Sequence, residues 1–222
     1  MNVAETSGSP YYFSVRHDMI GLVQEGANRI LEVGSAGGQT GKELKAAGVS
    51  EVAGIEIVDD VARSARQYYD ALYIGDVETM DLPYEDGHFD CILYGDVLEH
   101  LRDPWSVLRK HNRLLKTGGS IVVSIPNIRH YRIIKKLAFK GQWEYCDDGI
   151  MDRTHLRFFT LTSVREMVTD AGYDVDRIVK KPSGAGWLKG LNTLCGNRLI
   201  ELLVRQYILS ARKTREVAPC PR

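Results

Sequence analysis

The sequence predicts a doubly wound α/β fold, on three observations. Short apolar runs (RILEV, EVAGIEI, ALYIGD, FDCILYGD) alternate with segments of helical periodicity. Each run stops at glycine or an acid, the punctuation expected where a strand hands over to a loop. The runs are apolar throughout rather than at alternate positions, as strands covered on both faces of a parallel sheet must be. Right-handed crossovers then place helices on both sides of the sheet.

In chain order, residues 13–27 carry Phe13, Val15, Met19, Ile20, Leu22 and Val23 at helical spacing. RILEV (29–33) reads as a buried strand entering the glycine turn GSAGG, and QTGKELKAAG as a helix closed by Gly48. EVAGIEI (51–57) is a second strand, followed by a helix in DDVARSARQYYD with acids at its start. Strands at 71–76 and 89–96, a helix through DPWSVLRKHNRLL and a strand at 117–126 continue the alternation. Residues 127–160, between that strand and the next helix, are mixed and less regular. TSVREMVTDAG is the next helix, YDVDRIVKK a strand, 186–203 a helix, and RQYILSARK (205–213) the last strand.

The 222 residues fit one domain, and their 29 basic and 29 acidic side chains leave no global field toward nucleic acid or membrane. Cys91, Cys146, Cys195 and Cys220 form no CxxC pair and read as reduced thiols. The start MNVAETSGSPYYF lacks a basic, then apolar, leader pattern, and no run is apolar for eighteen residues. The expectation is a cytoplasmic protein.

Three acids end successive strands: Glu32 in LEVGSAGG, Glu56 in GIEI and Asp76 in GDVE. Ligands of open α/β sheets bind at those carboxyl ends. Gly34 and Gly38 allow a sharp turn and close backbone approach before a helix N-terminus. Glu56, 24 positions after Glu32, is placed to accept from both hydroxyls of a ribose. Asp76 is placed to meet an adenine amine.

These residues, with GDVETMDLPYEDGHFDCILYGDVLEHLRDP and LLKTGGSIVVSIPN in the same order, resemble the class I S-adenosylmethionine-dependent methyltransferases over about residues 29–180. The resemblance implies a Rossmann-like seven-stranded sheet, mostly parallel, with an antiparallel last strand in RQYILSARK. It implies that Glu32, Gly34 and Gly38 line the methionine end of S-adenosylmethionine, with Ser35, Ala36, Ile57 and Gly95 also in the cofactor pocket. Glu56 then holds the ribose, and Asp76 with Val77 frames the adenine. Ala36 stands where the family usually has glycine, which is tolerable if it keeps negative φ.

GDVLEHL contains Asp96, Glu99 and His100. One reading is a capping box opening a helix, with Asp96 accepting from backbone N–H groups. The other is chemical: an alcohol is a poor nucleophile until its proton is taken, and His100 is a suitable base oriented by an acid. Ubiquinone-pathway and small-RNA 2′-O-methyltransferases carry a similar acid-x-x-Glu-His motif. In the RNA enzymes a later histidine completes a divalent cation site. Asp96, Glu99, His100 and His155 match that pattern in type and order, so the resemblance implies a metal option beside the catalytic trio His100, His155 and Asp96. His17, His88 and His111 read as surface or helix-face residues.

The resemblance implies that the 127–160 segment is an acceptor-lid insertion, and it holds Asn127, His130, Tyr131, Trp143, Tyr145, Asp148, Asp152 and Arg153, a set suited to polyols. GIMDRTHLRFFT and QYILSARK resemble bacterial methyltransferases of polysaccharide and glycan assembly. The expected reaction is therefore O-methylation of a small-molecule or glycan acceptor, with nucleotide- and lipid-linked sugars both open. Alternatives are a quinone O-methyltransferase, an RNA 2′-O-methyltransferase, disfavoured by the balanced charge, and a non-catalytic cofactor-binding regulator. RHYRIIKKLAFK (129–140) reads as a basic amphipathic surface helix, with a phosphate-bearing acceptor or an anionic membrane surface as the alternative contacts. The apolar 186–203 segment suits a core or oligomer contact.

Overall fold

The computed structural model describes residues 14–183, Thr193 and 199–218. Its elements are α1 (His17–Ile20), β1 (Arg29–Val33), α2 (Gln39–Ala46), β2 (Glu51–Glu56), α3 (Asp59–Ala65), β3 (Ala71–Ile74) and β4 (Phe89–Gly95). They continue with α4 (Pro104–Asn112), β5 (Leu115–Pro126), α5 (Tyr131–Lys140), α6 (Leu161–Asp170), β6 (Tyr173–Pro182), α7 (Ile200–Leu203) and β7 (Val204–Lys213). The seven strands form one sheet in the order β3-β2-β1-β4-β5-β7-β6. β7 alone runs against its neighbours, pairing antiparallel with both β5 and β6.

Strand geometry explains the all-apolar runs. Successive side chains point to opposite faces, so both parities of a central strand need cover. Leu31, Ile92, Tyr94, Val123 and Leu209 enter one core with Val107, Leu108, Val164 and Met167 of α4 and α6. Their chain neighbours Ile30, Cys91, Leu93, Val122 and Ile208 enter the other, with Met19, Leu44, Ala62 and Ala65 of α1 to α3. The sheet is thus doubly wound, as expected.

The chain moves outward from β1 to β3 and returns to β4 beside β1, which makes a topological switch point between them. Antiparallel β7 starts where β5 ends, with Gln206 opposite Pro126. Its first residues therefore reach the ligand end of the sheet.

Three local readings change, and a fourth lies mostly outside the described residues. The 13–27 helix is only α1, ended by Gly21, and Phe13 lies outside the described residues. β3 stops at Ile74 because Gly75 takes φ +151°. No helix opens at Asp96. Residues Leu98–His100 make a single 3₁₀ turn, and the regular helix begins only at Pro104, with Asp103 as its cap. Of the 186–203 helix only Thr193 and 199–203 are described, including the short α7.

Candidate functional site

A cleft of about 1110 Å³ crosses the carboxyl ends of the strands at the switch point. That exceeds the roughly 300–1,000 Å³ of a typical single-ligand pocket, so it has room for two molecules side by side. Every residue expected in the cofactor pocket lines it except Gly38. Gly38 supports the turn from behind with φ +79°, and a Cβ there would strike Ala65 and Tyr68 at 2.9 Å. Gly34, φ +77°, is equally restricted, because a Cβ would overlap the Val97 side chain.

Ala36 does not keep negative φ: it adopts φ +46°. The β1–α2 turn demands the left-handed region, and two other contacts hold the alanine in it. Its N–H donates to Glu56 Oε2 at 2.8 Å, and Gly38 N–H closes the turn on the Ser35 carbonyl. Glu56 Oε1 accepts from Ile57 and Val58 N–H at 2.9 and 3.0 Å. Lone-pair counting leaves Oε2 one acceptor position for a ligand hydroxyl rather than the two hydroxyls expected.

Glu32 is buried and accepts from Tyr69 Oη at 2.6 Å. Burial pushes its carboxyl up to about 7, against the lowering effects of Tyr69, Thr40 and Arg16. A ligand ammonium beside it would hold it ionised. Ser35 Oγ is buried without a hydrogen-bond partner on the wall of the same cleft. Ile57 is 66% exposed despite its apolar side chain, offering a flat contact beside Glu56.

Asp96 has φ +55°, in the region that Asp and Asn tolerate better than most residues. Its Oδ2 accepts from Arg16 Nη1 at 2.6 Å. Its Oδ1 accepts from Ser124 Oγ at 2.8 Å and Gln206 Nε2 at 2.7 Å. Asp96 therefore ties α1, β4, β5 and β7 together under the cleft. With both oxygens engaged, it stands apart from the group that can hold a cation.

That group is Glu99, His100 and His155, each with one ligand atom within 4.8 Å of the others. The ring centroids of His100 and His155 are 4.7 Å apart, so the 55 intervening positions close to contact. The backbone causes this: the Glu99 carbonyl accepts from Leu156 and Arg157 N–H at 2.8 and 2.9 Å. His100 Nδ1 faces the Thr154 carbonyl at 3.3 Å, and His155 Nδ1 faces the Ile150 carbonyl at 3.1 Å. A carbonyl only accepts, so each Nδ1 carries a proton, and in the neutral ring it is Nε2 that keeps the lone pair. Thr154 Oγ1 donates to Asp152 and thus accepts from His100 Nδ1 as well, which agrees.

Burial first, and then the neighbouring His155, holds the His100 imidazole below its ordinary range. Glu99 is 1% exposed, and its Oε2 has no hydrogen-bond partner. Burial raises its carboxyl well above the usual range, with Asp96 adding to the rise. A buried carboxylate oxygen without a partner, beside two imidazole lone pairs, fits a divalent cation by donor type. His111 is corrected: it is buried and shares a 2.9 Å hydrogen bond with Tyr94 Oη.

The sequence reading missed Arg16, Tyr69, Ser124 and Gln206. Nothing in their spacing marks them. Ser124 and Gln206 have one signal in retrospect, since each sits at the strand end that faces the cleft.

The sheet order, its one reversed strand and the cleft across the switch point define the Rossmann-like methyltransferase class. Solved structures agree on the fold. An S-adenosylmethionine-dependent methyltransferase from Archaeoglobus fulgidus matches with TM-score 0.70 at 17% identity, over 94% of this chain and 96% of that one. Residues 10–178 match the methyltransferase-domain family, and the chain belongs to it as a class I S-adenosylmethionine-dependent methyltransferase. A probable S-adenosylmethionine-dependent methyltransferase of Mycolicibacterium smegmatis is 26% identical over 204 residues, covering 90% of this chain and 74% of that protein. A ubiquinone biosynthesis O-methyltransferase of Xanthomonas oryzae pv. oryzae is 31% identical over 121 residues, 52% of this chain and 48% of that enzyme. Several other curated relatives are likewise matched over less than half of their length.

Proposed function

We propose that this methyltransferase methylates a hydroxyl of a sugar or similar polyol. The observation that carries the reading is the pair of imidazole Nε2 lone pairs of His100 and His155 beside the cleft. S-adenosylmethionine supplies an electrophilic methyl group on a sulfonium. Gly34, Ser35 and Glu32 suit its methionine end, Glu56 its ribose, and Asp76, Val77 and Ile57 its adenine. The unmatched Ser35 Oγ and the Gly34 turn support that fit.

The acceptor end is polar. Asp147, Asp148, Asp152 and Thr154 line it from the 127–160 insertion, and Arg102 and Arg205 from the rim. Such a wall matches hydroxyls by hydrogen bonding and makes the insertion an acceptor lid. In the reaction the acceptor oxygen attacks the methyl carbon as the carbon–sulfur bond breaks toward sulfur. The hydroxyl proton passes to a histidine Nε2, neutral at physiological pH for His100. A cation held by Glu99, His100 and His155 would instead acidify the hydroxyl. The unpartnered Glu99 Oε2 favours this second reading.

A labelled-methyl assay over nucleotide sugars, lipid-linked glycans, quinols and RNA tests the acceptor class. Labelling of sugars is expected, and preferential labelling of a quinol or RNA replaces the reading. His100→Ala is expected to lower kcat about 100-fold or more. The wild-type acid limb should fall below the ordinary histidine value near 6.5. Activity abolished by a strong chelator and restored by manganese or zinc decides for the cation; full activity in chelator decides for the bare base.

A further inference from the structure

α5 is amphipathic in sequence yet buries none of its ten residues. Four of them are cationic (Arg132, Lys135, Lys136 and Lys140) and none is acidic. Ile133 and Lys136 turn toward the following loop, where they line a small crevice with Trp143, Cys146 and Met151. Lys136 pairs with Glu144 at 2.9 Å. The opposite side, Ile134, Lys135, Ala138 and Phe139 at helical spacing, faces solvent. Ile134 is 41% exposed, Leu137 45% and Phe139 84%. Three large apolar side chains are thus open together on one strongly cationic helix, which a lone exposed residue would not be enough to mark.

We propose that α5 is a docking ridge for an anionic lipid surface. Phe139 and Ile134 enter the boundary between headgroups and acyl chains, while Lys135 and Arg132, which flank Phe139 on the same side, meet lipid phosphates. The long lysine stems reach the headgroups while their carbons cover apolar surface. Charge argues against a second copy as the occupant, since a symmetric contact would set this cationic helix against itself. A nucleic-acid backbone matches the charge but gains nothing from the exposed isoleucine and phenylalanine. No helix of the described residues is long and apolar enough to cross a membrane, so the contact is peripheral. The ridge follows directly from β5 at the cleft, which puts the cleft close to the surface it binds.

The test is co-sedimentation of the full chain with phosphatidylcholine vesicles, with and without phosphatidylglycerol. Partition is expected to rise at least about tenfold with the anionic lipid and to fall with added salt. Ile134→Ser with Phe139→Ser, and separately Arg132→Glu with Lys135→Glu, should each remove about tenfold of it. These side chains are exposed, so unchanged melting certifies folded variants. Equal partition onto neutral and anionic vesicles overturns the proposal. So does insensitivity to either pair of substitutions, tight binding to an RNA duplex without vesicle binding, or a dimer that the Phe139 variant dissolves.

Discussion

Ala36 shows what one residue in the β1–α2 turn costs. Its φ of +46° lies where an L side chain meets the following carbonyl, at roughly 1–2 kcal/mol. Glycine removes that strain, although it also frees the unfolded chain by about 0.4–1 kcal/mol. Ala36→Gly is therefore expected to raise the unfolding free energy by up to about 1 kcal/mol in urea titration. Asp96 holds a similar φ, but its substitution would also break the half-buried pair with Arg16, so the alanine is the cleaner probe. At this scale the sequence named most of the candidate site. It left two readings open for the residues whose role depends on who faces them: Asp96 and Glu99 were each a capping-box member or a member of the cation group, and only Glu99 joins the histidines.

A real capping box lies elsewhere, at α6. Thr160 Oγ1 accepts from Ser163 N–H, and Ser163 Oγ accepts from Thr160 N–H at 2.9 Å. The box fixes the start of a helix that buries Val164, Met167 and Val168 against the sheet. It also follows Phe159, which bridges to Asn127 and so anchors the far end of the insertion. Thr160→Ala should destabilise the protein by about 1 kcal/mol, read from the denaturation midpoint. The strands were legible as elements because double burial imposes an unbroken apolar pattern on them. The turn at Leu98–His100 was not, since a helical spacing of polar residues is equally served by one 3₁₀ turn whose carbonyl pairs elsewhere.

The molecule as a whole carries two buried groups with opposed acid–base consequences. Burial pushes the His111 imidazole down to about 3 and the Glu32 carboxyl up to about 7. Between its ordinary value near 6.5 and 3, His111 is protonated only in the unfolded chain, so its contribution is lost as pH falls through that window. Glu32 holds its proton better folded than unfolded between 4.5 and 7, so its contribution decays as pH rises there. Their opposition masks each in the wild type, and a variant separates them. From pH 6.5 to 4.5, His111→Gln should leave the Glu32 trend unopposed, so that stability rises on acidification by up to about 1.4 kcal/mol per pH unit more than in the wild type, measured by urea unfolding at each pH.

By itself the sequence determined the layered α/β fold, the strand-end acids and the candidacy of His100 and His155. Each leaves a local trace in apolar runs, glycine punctuation or residue type. Only the tertiary structure decided that the two histidines touch, that Glu99 joins them and that Asp96 does not. It also decided that Arg16 and Gln206 reach the cleft. The physical reason is that these facts belong to contacts between distant segments. The bonds from Leu156 and Arg157 to the Glu99 carbonyl, and the reversal of β7 beside β5, bring together side chains whose spacing along the chain records nothing of their meeting.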